Sequence, residues 1–266
     1  MTGILSQFIT IVTYGNDYLM NGKIPEDFYP SHPAFKFCDR VYFNDMQETQ
    51  EKIIADNPFG WFQYLKETGC KKLRLYFSYS GNEQFPDYKS AGMVGGGGYW
   101  HMEADYDNGC DIWASRWQVT KENDPDRNIW AVDYGLFAEK QQPTAIPCNL
   151  DVIKKVSLER ISAIAAFASE QQLDNWHSIF KNAYDILNSG QPAQNDYQRK
   201  MLPENNYSLI ARQLLFAADA AWVFGGMGSW NDLSFNDNNI QQQYEQLSYN
   251  LYDNICVNVI ASVNSY

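Results

Sequence analysis

The sequence predicts an α+β fold, in which an antiparallel β-sheet with helices forms the N-terminal half and a mostly helical C-terminal half packs against it. Three β-like segments at 99–105, 111–119 and 129–137 are separated by short turn-rich linkers, and such connections favour an antiparallel meander. From residue 150 onward the apolar residues recur at helical spacing instead. The change near residues 145–150, around Pro143 and Pro147, predicts two parts, 1–148 and 149–266, with a single domain 1–266 as the alternative.

The N-terminal part is predicted to begin with a helix. Apolar residues from Leu5 to Met20 recur at helical spacing, and Asn21-Gly22 is a natural stop signal. The elements predicted to follow are a strand at 35–43, a helix at 45–55, a helix from Asn57-Pro58 to Gly69, a strand at 73–77 and a glycine-rich loop at 80–98.

The C-terminal part is predicted to contain four helices. Ser157 is a candidate N-cap for the first of them, and Asp237 is a candidate N-cap for the last. The second and third helices are expected at 173–188 and 207–224. In the last helix, one apolar stripe is formed by Ile240, Tyr244, Leu247, Leu251, Ile255 and Val259.

The charge of the chain bears on its partners. Lysine and arginine number 20 and aspartate and glutamate number 32 among 266 residues, which gives a formal net charge of −12. Such a chain repels phosphate backbones, so we expect no nucleic-acid partner. It attracts basic proteins and speeds their encounter. Solubility alone is the alternative interpretation of this acidity.

The cysteines and the apolar runs bear on location. The five cysteines are far apart and form no CxxC pair, which predicts reduced thiols rather than a zinc site or a disulfide framework. The N-terminus lacks the pattern of a signal peptide, and no apolar run approaches the length of a membrane helix. We therefore expect a cytoplasmic protein with no membrane partner, and no motif indicates a cofactor.

The segment Phe224–Asp232 has the most unusual composition in the chain. Three glycines, Gly225, Gly226 and Gly228, surround a methionine and are followed by Trp230. Beyond Arg212 the chain has no basic side chain, yet it carries five acids. One interpretation is a helix-ending corner in which Gly225 and Gly226 adopt left-handed geometry and Trp230 folds onto the core. The other is a recognition surface for a partner.

A second polar cluster lies in the predicted strand 99–105. His101, Glu103 and Asp105 are spaced two apart, so they share one face of a strand. An imidazole and two carboxylates are able to bind a divalent metal or to act as an acid–base group. The alternative is the solvated face of an amphipathic strand, which has the same pattern.

In overall character the chain resembles the immunity proteins of bacterial polymorphic-toxin and contact-dependent inhibition systems. The resemblance lies in the tryptophan-bearing acidic segments Asp105–Trp117 and Trp222–Asp232. It implies a non-enzymatic inhibitor that binds and neutralises a cognate toxin, often a basic one. The residues then expected to bind the partner are Trp230, Asn231, Asp232, Trp222, Asp237 and Trp113, with no metal.

Two other hypotheses belong to different functional classes. A metal-assisted hydrolase would use His101, Glu103 and Asp105. A carbohydrate- or small-ligand-binding module would use aromatic side chains as platforms, and the chain has 18 tyrosines and 8 tryptophans to supply them. The sequence leaves the oligomeric state open.

Overall fold

The computed structural model describes residues 1–46, 52–82, 84–146, 149–203 and 206–266. Six strands form one sheet in the order β2-β1-β6-β5-β4-β3. Their bounds are Cys38–Asp45 (β1), Lys52–Ala55 (β2), Lys72–Ser78 (β3), Tyr99–Tyr106 (β4), Gly109–Val119 (β5) and Trp130–Gln141 (β6). The α+β prediction is confirmed, with the sheet in the N-terminal half and helices making up the C-terminal half.

The sheet is mixed rather than wholly antiparallel. The meander β3-β4-β5-β6 and the pair β1–β2 are antiparallel, but β1 and β6 pair in parallel. The short connections from β4 to β5 and from β5 to β6 favour antiparallel pairing, whereas β1 and β6 are far apart in sequence. No local turn signal therefore exists from which their parallel pairing could be predicted.

Eight α-helices accompany the sheet in the described residues. Their bounds are Gly3–Asn21 (α1), Pro58–Glu67 (α2), Asp87–Ser90 (α3), Leu150–Glu170 (α4), Asp174–Asn188 (α5), Asp196–Met201 (α6), Leu209–Ala220 (α7) and Asn238–Val263 (α8). Among them, none is both long enough and apolar enough to cross a membrane. Cys38, Cys70, Cys110 and Cys256 are free thiols, and Cys148 lies outside the described residues.

Local capping signals position several of these helices as the sequence predicts. Gly22 ends α1 with a left-handed φ of 68°, and Asn57 accepts a hydrogen bond from the amide of Gly60 at the start of α2. Asp237 accepts hydrogen bonds from the amides of Asn239 and Ile240, so it caps α8 as predicted.

Three local predictions are wrong. Residues 52–55 form strand β2 rather than part of a helix, while 47–51 lie outside the described residues. The N-cap of α4 is Asn149 rather than Ser157, whose hydroxyl instead bonds to the carbonyl of Ile153 inside the bundle. Helix α7 ends at Ala220, before the glycines, and of Gly225, Gly226 and Gly228 only the last has a left-handed φ, of 83°.

The helices cover one face of the sheet. Leu73, Leu75 and Phe77 of β3 point to that face and are buried, and α1 and α8 pack against this strand. Helix α2 packs against α1, β1 and β2. Helices α4, α5, α7 and α8 pack on one another, and one cluster of buried apolar side chains contains residues from both predicted parts. The opposite face of β3, β4 and β5 carries the polar side chains discussed below.

Candidate functional site

Trp230 anchors the glycine-rich segment to the core. Its side chain is fully buried, and its ring packs edge-on against Phe180 with the ring centroids 5.1 Å apart. Its indole N–H donates to the hydroxyl of Ser248 over 2.7 Å, and its carbonyl accepts from the hydroxyl of Tyr244 over 2.6 Å. Trp230 therefore fixes the position of the segment and presents no surface to a partner.

The other two tryptophans named from the sequence are also engaged within the fold. Trp113 is buried beneath the sheet, where its ring packs against Trp61 at 5.1 Å between centroids. Trp222 is half-buried, and its indole N–H donates to the carbonyl of Phe224 over 2.9 Å. The expectation that Trp230 and Trp113 contact a partner directly is thus corrected, because both rings lie in the apolar core.

Two glycine-rich loops lie side by side at the surface. We call residues 91–98 and 225–229 together the twin-loop surface. A Cβ on Gly92 would lie 1.9 Å from the carbonyl oxygen of Gly225 and 2.6 Å from the amide nitrogen of Gly226. Only a glycine at position 92 permits this contact between the two backbones, so the two loops form one structural unit.

Asn231 ties this unit to α3. Its side-chain amide donates to the carbonyl of Tyr88 over 3.0 Å, while Ser229 and Asp232 bond back into the loop at Gly225 and Gly228. Asn231 is half-buried by these contacts and Asp232 remains exposed. Asn231 therefore positions the loop, whereas Asp232 lies where a partner could meet it.

The first loop is also held by close packing. A Cβ on Gly96 would lie 2.1 Å from the carbonyl oxygen of Ser90, and one on Gly98 would lie 2.5 Å from the ring of Phe77. The hydroxyl of Tyr252 donates to the carbonyl of Gly97 over 2.6 Å. The four successive glycines thus build a tight turn on the core rather than a loose tip.

The twin-loop surface displays three apolar side chains to solvent. Met93 is 59% exposed, Val94 is 107% exposed and Met227 is 101% exposed. Because the loops are fixed to one another and to the core, these side chains are displayed by an ordered backbone. Sequence reasoning missed Met93 and Val94, although an apolar pair inside a glycine-rich loop was a usable signal.

The acids beyond Arg212 are less free than the sequence suggests. Asp219, Glu245 and Asp253 form ion pairs with the amino group of Met1, with Lys89 and with Arg160, respectively. Asp232 and Asp237 have no ion pair with any described residue, and both are exposed. Of these five acids, Asp232 and Asp237, both of which the sequence named, are therefore the ones whose charge no ion pair among the described residues offsets.

The polar side chains of β4 share one face of the strand, as predicted, but an arginine that the prediction did not include pairs with them. His101, Glu103 and Asp105 share the face opposite the helices, and Arg74 of β3 lies beside them. The guanidinium of Arg74 lies 2.5 Å from a Glu103 oxygen and 2.9 Å from an Asp105 oxygen. Thr144 donates both its hydroxyl and its amide to Glu103. Glu103 is buried, so the face is not simply a solvated one.

This arrangement fits an ion-pair network better than a metal site. The described ligand atoms that lie within 4.8 Å of one another belong to Glu103, Asp105 and Cys110, and His101 is not among them. The nitrogen Nε2 of His101 lies 3.9 Å from a Glu103 oxygen. Arg74 already supplies the positive charge that a metal ion would bring, and a divalent cation would be repelled by it.

Burial sets the protonation of this cluster. It lowers the pKa of His101, although the charge of Glu103 opposes the effect. It raises the pKa of Asp105, against the opposing charge of Arg74. The cluster therefore combines an imidazole that is neutral near pH 7 with two carboxylates that share the single guanidinium of Arg74.

Comparison with known protein families, with curated proteins and with solved structures finds no match to this chain.

Proposed function

We propose that this chain is a non-enzymatic binding protein that recognises and neutralises a basic protein partner, such as a cognate toxin, through the twin-loop surface. The observation that supports the proposal is the display of Met93, Val94 and Met227 on two interlocked loops. Exposed apolar side chains that form one patch are typical of interaction sites, and the contact between Gly92 and Gly225 brings together the two loops that carry these three side chains.

The chemistry of the three side chains suits a protein surface. Methionine is unbranched and polarisable, so Met93 and Met227 are able to adapt to the contours of a partner. The backbone beneath them is held by Gly92, Gly96 and the anchored Trp230. Association would therefore order a few side chains but not two loops, which lowers the entropic cost of binding.

Charge favours a basic partner. The chain has a formal net charge of −12, and Asp232 and Asp237 lie exposed without ion pairs among the described residues. Rim carboxylates of this kind increase the association rate with a positively charged surface and contribute less to the final affinity. An inhibitor of a basic toxin needs this combination of an apolar centre and acidic steering.

The test is affinity capture from a lysate of the source organism, with the wild-type chain and two variants as bait. We expect Met227→Asp to lose the captured protein, because a charge would be buried in the interface. Met20→Asp is the matched control, since Met20 is also exposed, at 71%, but lies on α1. Capture that is unchanged by Met227→Asp would refute the surface.

The captured protein then tests the class of partner. We expect it to be basic, and we expect its association rate with the wild-type chain to fall steeply as salt is added. If the partner is a toxin, co-expression of the wild-type chain should restore growth, and co-expression of Met227→Asp should not. An acidic partner or a salt-independent association rate would count against this proposal.

A further inference from the structure

A groove lies between α3 and α8, next to the twin-loop surface. Its volume is about 490 Å³, which is within the range of small-molecule sites. The side chains of Gln84, Pro86 and Lys89 line it on the α3 side. On the α8 side it is lined by Gln242, Glu245, Gln246 and Tyr249.

An ion pair crosses the groove and leaves one oxygen open. The ammonium of Lys89 lies 2.9 Å from Oε1 of Glu245, and the amide of Gln241 donates to the same oxygen over 3.0 Å. Among the described residues, Oε2 of Glu245 has no hydrogen-bond partner. The hydrogen bond from Lys89 lowers the pKa of Glu245, so this oxygen is a charged acceptor at neutral pH.

The same ion pair selects against charged ligands. A cation that approaches the open oxygen of Glu245 meets the ammonium of Lys89, and an anion that approaches Lys89 meets Glu245. The two charges cancel over a short distance, so the groove offers strong donors and acceptors without a net charge. Phosphates and metal ions are therefore poor ligands for it, and a neutral polar molecule is favoured.

Amide groups add further donors and acceptors along the groove. The side chains of Gln84 and Gln242 make no hydrogen bond to any described residue, and each amide is able both to donate and to accept. Gln246 donates to Asn250 over 3.0 Å, which leaves its carbonyl oxygen available. Alternating donors and acceptors match hydroxyl groups, because each hydroxyl both donates and accepts.

The groove also has apolar surfaces on both sides. Tyr249 of α8 is 47% exposed, and Pro86 lies on the α3 side. An exposed aromatic ring offers a flat apolar platform with a polar edge. A sugar ring combines an apolar face of C–H groups with hydroxyls at its edge, so it complements both features.

We propose that the groove between α3 and α8 binds a neutral saccharide, with hydroxyls on Glu245, Lys89 and the glutamine amides and a sugar face against Tyr249. This site is separate from the twin-loop contact with a protein partner. A peptide backbone also alternates donors and acceptors, but it lacks the flat apolar face that the Tyr249 ring would contact.

The proposal is tested with an array of neutral glycans, followed by titration of the best binder monitored by amide NMR. We expect saturable shifts in residues of α3 and α8 and a dissociation constant of about 1 mM or tighter. Tyr249→Ala should weaken binding at least about tenfold. Tyr184→Ala is the matched control, because Tyr184 is an exposed tyrosine on α5, at 38%.

Several outcomes would overturn the saccharide site. They are the absence of binding by any neutral glycan, equal binding by the Tyr249→Ala variant, and shifts in the groove caused by an uncharged peptide, such as tetra-alanine with an acetylated amino end and an amidated carboxyl end, but by no sugar. Met227→Asp separates the two proposals, since it should abolish protein capture and leave sugar binding unchanged. Failure of one function is therefore distinguishable from failure of the other.

Discussion

Asn16 pairs with the backbone of Leu73 as a neighbouring strand would. Its carbonyl oxygen accepts from the Leu73 amide over 2.7 Å, and its amide donates to the Leu73 carbonyl over 2.9 Å. Asn264 repeats the pattern at Leu75, over 2.9 and 2.7 Å. The outer edge of β3 is thus closed by two side chains, which protects it from pairing with another chain.

Replacing Asn16 with alanine is expected to lower the free energy of unfolding by about 1–3 kcal/mol. The change leaves the amide and carbonyl of Leu73 buried without partners, and each such group costs free energy. Thermal unfolding followed by circular dichroism measures the loss, and light scattering detects self-association through the opened edge. Asn239→Ala, at an exposed position of α8, is the control and should change neither measurement. Equal behaviour of the two variants would contradict the proposed role of Asn16.

The contact between the twin loops predicts that alanine lowers stability at Gly92 but not at Gly226, although the two glycines lie close together in the fold. Gly92→Ala would place a Cβ 1.9 Å from the carbonyl oxygen of Gly225, so the loops must separate. Gly226→Ala meets no atom within 4 Å and requires no left-handed φ. We expect Gly92→Ala to cost about 1–3 kcal/mol of stability and Gly226→Ala to be neutral, as measured by chemical denaturation. A neutral Gly92→Ala variant would show that the loops are not interlocked.

Local signals allowed most of the regular structure to be predicted. The stop at Gly22, the cap at Asn57 and the cap at Asp237 each act through one or two nearby backbone groups, so they are visible in a short window of sequence. The alternation in β3 is visible for the same reason, since Leu73, Leu75 and Phe77 face the core and the residues between them do not.

Contacts between distant segments explain what the sequence did not reveal. The parallel pairing of β1 with β6 and the approach of Gly92 to Gly225 join segments that share no local signal. The burial of Trp230 depends on α5 and α8 meeting around it. The segment 224–232 was singled out from the sequence and its role in recognition stays a proposal, whereas the exposed Met93 and Val94 of the loop that contacts it were not identified.

The ion pair between Arg74 and Glu103 predicts that replacing Arg74 destabilises the fold far more than replacing an exposed arginine. The side chain of Glu103 is 1% exposed, so Arg74→Ala would leave a buried carboxylate unpaired, at a cost of about 3–5 kcal/mol. Arg199→Ala breaks an exposed pair with Asp196 and should change stability by less than about 0.5 kcal/mol. Urea denaturation of both variants measures the contrast, and similar losses would contradict the structural role of Arg74.

The same cluster separates the binding hypothesis from the metal-assisted hydrolase. Because Arg74 lies between Glu103 and Asp105, added Zn²⁺ or Mn²⁺ should leave the melting temperature of the wild-type chain unchanged. A metal bound only by the folded state would raise the melting temperature as its concentration rises. A rise that His101→Ala abolishes would support the hydrolase, and metal analysis of the purified protein provides an independent check.

His32 predicts that stability falls in mild acid. Its ring is buried. The nitrogen Nδ1 accepts from the amide of Ala34 over 3.1 Å, and Nε2 lies 3.0 Å from the carbonyl oxygen of Lys200. The neutral ring therefore carries its proton on Nε2, which donates to that carbonyl. Burial lowers the pKa of His32 below its ordinary 6.5, and the charge of Lys200 acts in the same direction, while the hydrogen bond to the Lys200 carbonyl and the charge of Asp27 oppose them without reversing the shift.

The lowered pKa fixes the sign of the pH dependence. Below about pH 6.5 the unfolded chain takes up a proton on this histidine while the folded chain does not, so the free energy of unfolding decreases as the pH falls toward the folded-state pKa. His101 acts in the same direction, because its pKa is also lowered. Asp105 acts in the opposite direction, because burial raises its pKa from 3.8.

Urea denaturation at about pH 7.5 and about pH 5.5 measures this dependence. The wild-type chain should be less stable at the lower pH, and His32→Asn and His101→Asn should each reduce the difference between the two values. Asparagine at position 32 is able to accept from the amide of Ala34 but does not titrate, so it removes the proton uptake more than the packing. A pH dependence that is the same in the wild type and in His32→Asn would show that the buried imidazole does not control acid stability.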